Sequence, residues 1–262
     1  SVSIYRNKSD RANFLFEGPT NFSTAQSPTF VAMSDLDGDG KLDIVIATSS
    51  GATSICRNTG VAGRIDSASF APRIEIATGG TCVAIGDLDG DGKPDLAIAN
   101  GGVSILANTS STGAISFSAR VDFTTGSGGR SVTISDLDGD GKVDLAVANE
   151  SSGTVSVLKN VSSVGAITSS SFAGKVDFST GQSPLVIAAA DLDGDGRTDL
   201  LSNGTGGGGT SALKNSARGT QSVTFGTLAN KTFGDASFTV SASASSGLSV
   251  TISIASGPAT IA

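Results

Sequence analysis

Sixteen aspartates in this chain stand at fixed distances from one another. Asp35, Asp37, Asp39 and Asp43 fall within the nine residues DLDGDGKLD, separated by Gly38 and Gly40. The pattern returns as DLDGDGKPD at 87–95 (Asp87, Asp89, Asp91, Asp95), as DLDGDGKVD at 136–144 (Asp136, Asp138, Asp140, Asp144) and as DLDGDGRTD at 191–199 (Asp191, Asp193, Asp195, Asp199). Carboxylates at positions 1, 3, 5 and 9 of a tight loop aim several hard oxygens at one centre. The backbone carbonyl of position 7 (Lys41, Lys93, Lys142, Arg197) can add another. Such an oxygen cage suits Ca²⁺, about four ions in all, one per loop. Glycine at position 6 supplies the positive φ that the sharp turn needs.

A solvated acidic turn is the plain alternative, and for one copy it would suffice. Four copies with the same four Asp positions argue against it, because carboxylates so close repel unless a cation sits among them. An EF-hand is the rival calcium reading, but it needs a bidentate Glu at position 12 and flanking helices. Position 12 here is Ile46, Ile98, Val147 and Ser202, within runs of β type.

The elements that must hold these loops repeat with them. The first Asp residues lie 52, 49 and 55 residues apart, a period that signals a repeat architecture. A short apolar strand enters each loop (30–33, 82–85, 132–134, 185–189) and another leaves it (44–47, 96–99, 145–148, 200–201), so the loop is the tip of a hairpin. A third strand ends at Asn58, Asn108, Asn160 and Asn215, an Asn read as a turn cap. A fourth, outer strand carries Phe, as in FAPRIEIATG (70–79), FSARVDFTTG (117–126) and FAGKVDFSTG (172–181). Four strands per unit of about 50 residues is the pattern of a β-propeller blade. The Phe positions are read as core between blades.

The fold class is therefore all-β: four full repeats over 1–220, preceded by a partial blade at 1–28 in which 3–7 is a third strand and 14–28 a fourth. GTGGGG at 204–209 reads as a flexible turn, and the last repeat ends near Asn215 or at a strand around 223–225. From 221 to 262 the cages stop and period-2 alternation appears in ASFTVSAS and LSVTISIAS, the beginning of a sandwich-type β module.

Composition limits the function classes. Formal net charge is −7, but 16 of the 24 acidic residues lie in the four loops, so four divalent ions would bring the total to about +1. No Lys/Arg cluster could follow a phosphate backbone, which argues against nucleic acid. No apolar run approaches the roughly 18 residues of a membrane span, so no membrane insertion is expected. With no His in the chain, a Ser-His-Asp or Cys-His nucleophile is excluded, and an enzyme is not expected. Cys56 and Cys82 fit no zinc spacing. They are either one disulfide or two buried thiols, and since Cys56 stands where other repeats have Leu106, Leu158 and Leu213, buried thiols are favoured.

The repeated DLDGDGxxD, its following apolar strand and the VSxLxN strand resemble the FG-GAP/VCBS repeats of integrin α-chain propellers and many secreted bacterial proteins. The resemblance covers about residues 1–220. It implies Ca²⁺ in the hairpin loop between the first two strands of each blade, on the aspartates named above. The segment from 225 to 254 is similar to the opening of bacterial immunoglobulin-like modules. Together these imply a non-enzymatic, calcium-stabilised propeller of an extracellular or cell-surface bacterial protein, serving adhesion, interaction or assembly. Its partner would be a protein or a surface, further copies of itself included. A polysaccharide-binding or polysaccharide-degrading module is the alternative, weakened by the absence of Trp and the single Tyr5, since sugar platforms favour such rings. The chain is expected to be a piece of a longer protein, an arc of blades completed by further chain or a neighbouring subunit and not by residues 236–254.

Overall fold

Strands of alternating or continuous apolar character, each closed by a glycine-rich turn, give sheets joined by tight hairpins. The structure is a computed structural model that describes residues 1–180, 183–205, 209–216, 223–225, 241–244 and 250. It divides into two units, Ser1–Asn215 and Ser216–Ala262.

In the first unit, β1 (Val2–Asn7) pairs antiparallel with β2 (Phe16–Phe22), the two outer strands read from the sequence. Three four-stranded antiparallel sheets follow, each ordered as the chain runs. They are β3 to β6 (Pro28–Ser34, Asp43–Thr48, Thr53–Cys56, Ile74–Ile76), β7 to β10 (Cys82–Gly86, Asp95–Ala99, Val103–Leu106, Val121–Phe123) and β11 to β14 (Gly129–Ser135, Asp144–Asn149, Thr154–Leu158, Val176–Ser179). The fourth repeat contributes β15 (Ser183–Ala190), β16 (Asp199–Thr205) and β17 (Thr210–Leu213). These are propeller-type blades, and no helix occurs among the described residues. The outer strands are shorter than the sequence pattern suggested, three or four residues, whereas β16 runs on to Thr205, beyond the two apolar residues 200–201.

In the second unit, β18 (Val223–Phe225) pairs with β19 (Ala242–Ala244), so Val223–Phe225 is not the outer strand of the fourth repeat. Most of 236–254, on which the expectation about closure turns, lies outside the described residues, as do 206–208 of the Gly-rich turn.

The two middle strands of each full blade are deeply buried, because both their faces are covered. β4, β8 and β12 are buried at every residue. Blades of the first unit meet through apolar faces: Val45, Ala47 and Ile55 pack on Val83, Leu96 and Ile98, and Ala97, Ala99 and Ile105 on Val132, Leu145 and Val147. Ala146, Ala148 and Val155 meet Ile187 and Leu200 in the same way. Val2 and Ile4 of β1 lie against Ile44, Ile46 and Cys56. The leading Phe of the outer segments joins this core as expected, Phe172 edge-on to Phe123 at 5.1 Å and Phe70 to Phe22 at 4.9 Å, but Phe178 is exposed. Both cysteines are free and buried, in different clusters, so the favoured reading of two thiols holds.

Candidate metal centres

Each nine-residue loop is the tip of the hairpin between a blade's first two strands, and position 9 opens the second strand. Ser34 pairs with Asp43, Gly86 with Asp95, Ser135 with Asp144 and Ala190 with Asp199. The turn is built from carboxylates accepting the loop's own amides. Position 1 accepts from both glycines: Asp35 Oδ1 from Gly38 N at 2.9 Å and Oδ2 from Gly40 N at 2.8 Å, repeated at Asp87, Asp136 and Asp191. Both glycines take positive φ, +71° at Gly38 and +84° at Gly40, so position 4 needs glycine as much as position 6 does. Position 3 accepts from the amide of position 5, as Asp37 does from Asp39 N at 3.2 Å. Position 5 accepts from the amide of position 7, as Asp39 does from Lys41 N at 3.0 Å, which fixes the segment carrying the position-7 carbonyl.

Position 9 does something the sequence did not disclose. Its two oxygens bracket the hairpin: Asp95 Oδ2 accepts from Leu88 N at 2.8 Å, and Oδ1 from Asn108 N at 2.7 Å. Asp43, Asp144 and Asp199 do the same with Leu36 and Asn58, Leu137 and Asn160, and Leu192 and Asn215.

Carboxylate oxygens converge in every loop. In three loops the group is positions 1, 3 and 9 (Asp87, Asp89, Asp95; Asp136, Asp138, Asp144; Asp191, Asp193, Asp199), and in the first it is positions 1, 3 and 5 (Asp35, Asp37, Asp39). Within each group one oxygen per residue lies within 4.8 Å of the others. Asp43 stands outside the first group, and Asp91, Asp140 and Asp195 outside the other three. The donor set fits a hard divalent cation, since it is wholly oxygen and a carboxylate that accepts one or two amides keeps lone pairs for a metal.

The charges are held in two different ways. In three repeats a basic side chain from the end of the third strand reaches positions 3 and 5. Arg57 Nε lies 2.6 Å from Asp37 Oδ2 and Nη2 3.6 Å from Asp39 Oδ2. Lys159 pairs with Asp138 and lies 3.0 Å from Asp140, and Lys214 pairs with Asp193 and lies 3.6 Å from Asp195. The side chains of position 7 differ: Arg197 pairs with Asp195, Lys41 lies 3.5 Å from Asp39, and Lys142 donates to Ser162 O. In repeat 2 the third-strand position is Ala107.

Acidities follow. Burial pushes Asp37 up, but the Arg57 hydrogen bond and the Gly113 amide outweigh it and leave its carboxyl below the usual range. The Lys142 amide and then Lys159 lower Asp140, and Lys214 lowers Asp193. In repeat 2 burial raises Asp89, with Asp91 and Asp87 adding repulsion. Burial likewise pushes Asp95 up to about 6, against the pull of the Asn108 and Leu88 amides.

The recurring Asn is more than a turn cap. Asn108 Nδ2 donates to Pro94 O in its own loop and to Leu36 O in the preceding one, both at 2.9 Å. Asn160 does so to Val143 O and Leu88 O, and Asn215 to Thr198 O and Leu137 O. It ties consecutive blades at their loops. A further repeated pair also lay unread: a buried third-strand Ser donates to the facing outer-strand acid, Ser54 to Glu75, Ser104 to Asp122 and Ser156 to Asp177. The RIE, RVD and KVD triplets carry its signature.

A family model described as an FG-GAP-like repeat matches the chain at residues 1–46, 35–98, 87–147 and 136–202. No curated protein gives a significant match. Among solved structures, the crystal structure of BBS1N in complex with ARL6DN soaked with mercury is 19% identical with a TM-score of 0.44, covering 73% of this chain and 54% of that one. The same complex soaked with lead is 15% identical with a TM-score of 0.46, covering 74% and 58%. The chain thus spans a little over half the length of these structural relatives.

Proposed function

The chain belongs to the FG-GAP-like repeat family, and from that premise we propose that residues 1–220 are a calcium-stabilised, non-enzymatic propeller segment that works outside the cell by binding a protein or surface partner. The observation that carries this reading is the fourfold convergence of three carboxylate oxygens within 4.8 Å at equivalent hairpin tips. The residues that would hold calcium are the aspartates of each loop, with the position-7 carbonyls of Lys41, Lys93, Lys142 and Arg197 as further oxygens. Bound there, an ion would supply the positive charge that offsets the converging carboxylates. Millimolar calcium outside cells matches the roughly 10⁻⁴–10⁻³ M affinities of extracellular modules.

Binding without catalysis is supported by the chemistry of the side chains. There is no His to serve as base to a nucleophile, and the loop carboxylates already accept the amides that shape the turns. Calorimetric titration of chelated protein with CaCl₂ tests the reading: we expect about four sites in the 10⁻⁴–10⁻³ M range, and no binding at millimolar calcium contradicts it. On a glycan array we expect no specific binding, and a strong glycan ligand would replace the protein partner with a sugar.

A further inference from the structure

We propose that the residue just before the recurring Asn (Arg57, Ala107, Lys159 or Lys214) sets the calcium affinity of its loop, so that the loop at 87–95, which has Ala107, is the tightest site. The inference rests on the calcium reading of the loops and adds an order among them.

Three features carry it. The residue occupies the same place in every repeat, at the end of the third strand, and its backbone is held beside the loop by the following Asn, whose amide donates to position 9. Arg57, Lys159 and Lys214 each reach the same two carboxylates, positions 3 and 5. Position 3 is also a member of every convergent oxygen group. A tethered cation therefore lies against an oxygen that the ion needs. To bind, calcium must displace this side chain or sit beside a like charge, and either lowers affinity. Ala107 has no side chain that can do this, so Asp87, Asp89, Asp91 and Asp95 keep their mutual repulsion until an ion relieves it. Each cation touches two carboxylates, so the handicap is roughly tenfold in affinity.

The test is calorimetric titration of the whole chelated chain with CaCl₂. Wild type should show one site about tenfold tighter than the other three. Asp89→Asn should abolish that tight class alone, and Ala107→Lys should merge it with the weaker sites. Lys159→Met and Lys214→Met keep most of the apolar stem; the first should move one weak site into the tight class, and the second should move its site only part of the way, because Arg197 still pairs with Asp195. They also keep the proposal testable if Ala107→Lys fails to fold, which melting in saturating calcium would reveal. Four sites of equal affinity, unmoved by the Met variants, overturn this proposal and leave the calcium reading standing. Absence of any calcium binding overturns both.

Discussion

The loops at 87–95 and 191–199 share the first six residues and all four aspartates, yet they sit in opposite surroundings. The first is roofed by the next repeat: Asn160 Nδ2 and Ser162 Oγ donate to Leu88 O, Gly165 N donates to Asp89 O, and Leu88 is 1% exposed. Its acids have no basic partner from the third strand. In the second loop Leu192 is 51% exposed, while Lys214 and Arg197 pair with Asp193 and Asp195. In one loop Leu88, Asp89 and Asp95 are buried and no third-strand cation balances the acids; in the other only Asp199 is buried and the acids are compensated. The nine residues determine which oxygens converge. Neighbouring elements determine how far their charges are balanced.

The sharpest way to break this contrast is to remove position 9. Asp95→Ala strips acceptors from two buried amides, and in chelated protein we expect a loss of about 3 kcal/mol by urea unfolding. Asp199→Ala removes the same two bonds in the open loop, and with Leu192 exposed it should cost about half as much under the same conditions. Equal losses would dissolve the distinction.

A pH series sharpens it next. The folded state holds the Asp95 proton more tightly, near pH 6, than the unfolded chain, whose Asp titrates near 4. The native state therefore binds more protons between these values, and chelated protein should lose up to ~3 kcal/mol as pH rises from about 4 through 6. Burial raises Asp43, Asp89 and Asp144 as well, so Asp95→Ala should reduce that slope without abolishing it, and an unchanged slope would assign it elsewhere.

Asn160→Ala breaks the roof over Leu88 as well as the bond to Val143 O, and about 2 kcal/mol should go with it. Asn58, whose Nδ2 donates to Leu42 O, should cost about half as much when changed to Ala. Matching losses would mean that the tie between blades contributes little. The smallest effect belongs to the open loop: Lys214→Met should leave the urea midpoint of chelated protein almost unmoved, because the lysine is well exposed.

Strands and loops were legible because they are local. The apolar runs in PTFVAMS and DLAVAN and the fixed Asp and Gly positions need no partner to be read. Three features escaped for the opposite reason. Asn108 donates to Leu36 O across 72 residues, a contact invisible until one blade is stacked on the next. The pairing of Arg57 with Asp37 depends on the third strand returning beside the hairpin tip. Position 9 looked like one more ligand because the amides of Leu88 and Asn108 carry no side-chain signature. The end of the last repeat stayed open between Asn215 and a strand at 223–225 because a short VTF run fits either sheet equally well, and its pairing with Ala242–Ala244 is what decides for Asn215.

The central claim is that the blades are held by calcium at four aspartate loops. The direct measurement is thermal unfolding of the whole chain after EDTA treatment, with and without calcium restored to about a hundredfold excess over Kd. Each filled site contributes about 2.7 kcal/mol at that excess. For a unit of this size, with roughly 2–4 °C per kcal/mol, Tm should rise by about 20 °C or more. A Tm that is the same in EDTA and in calcium contradicts the account.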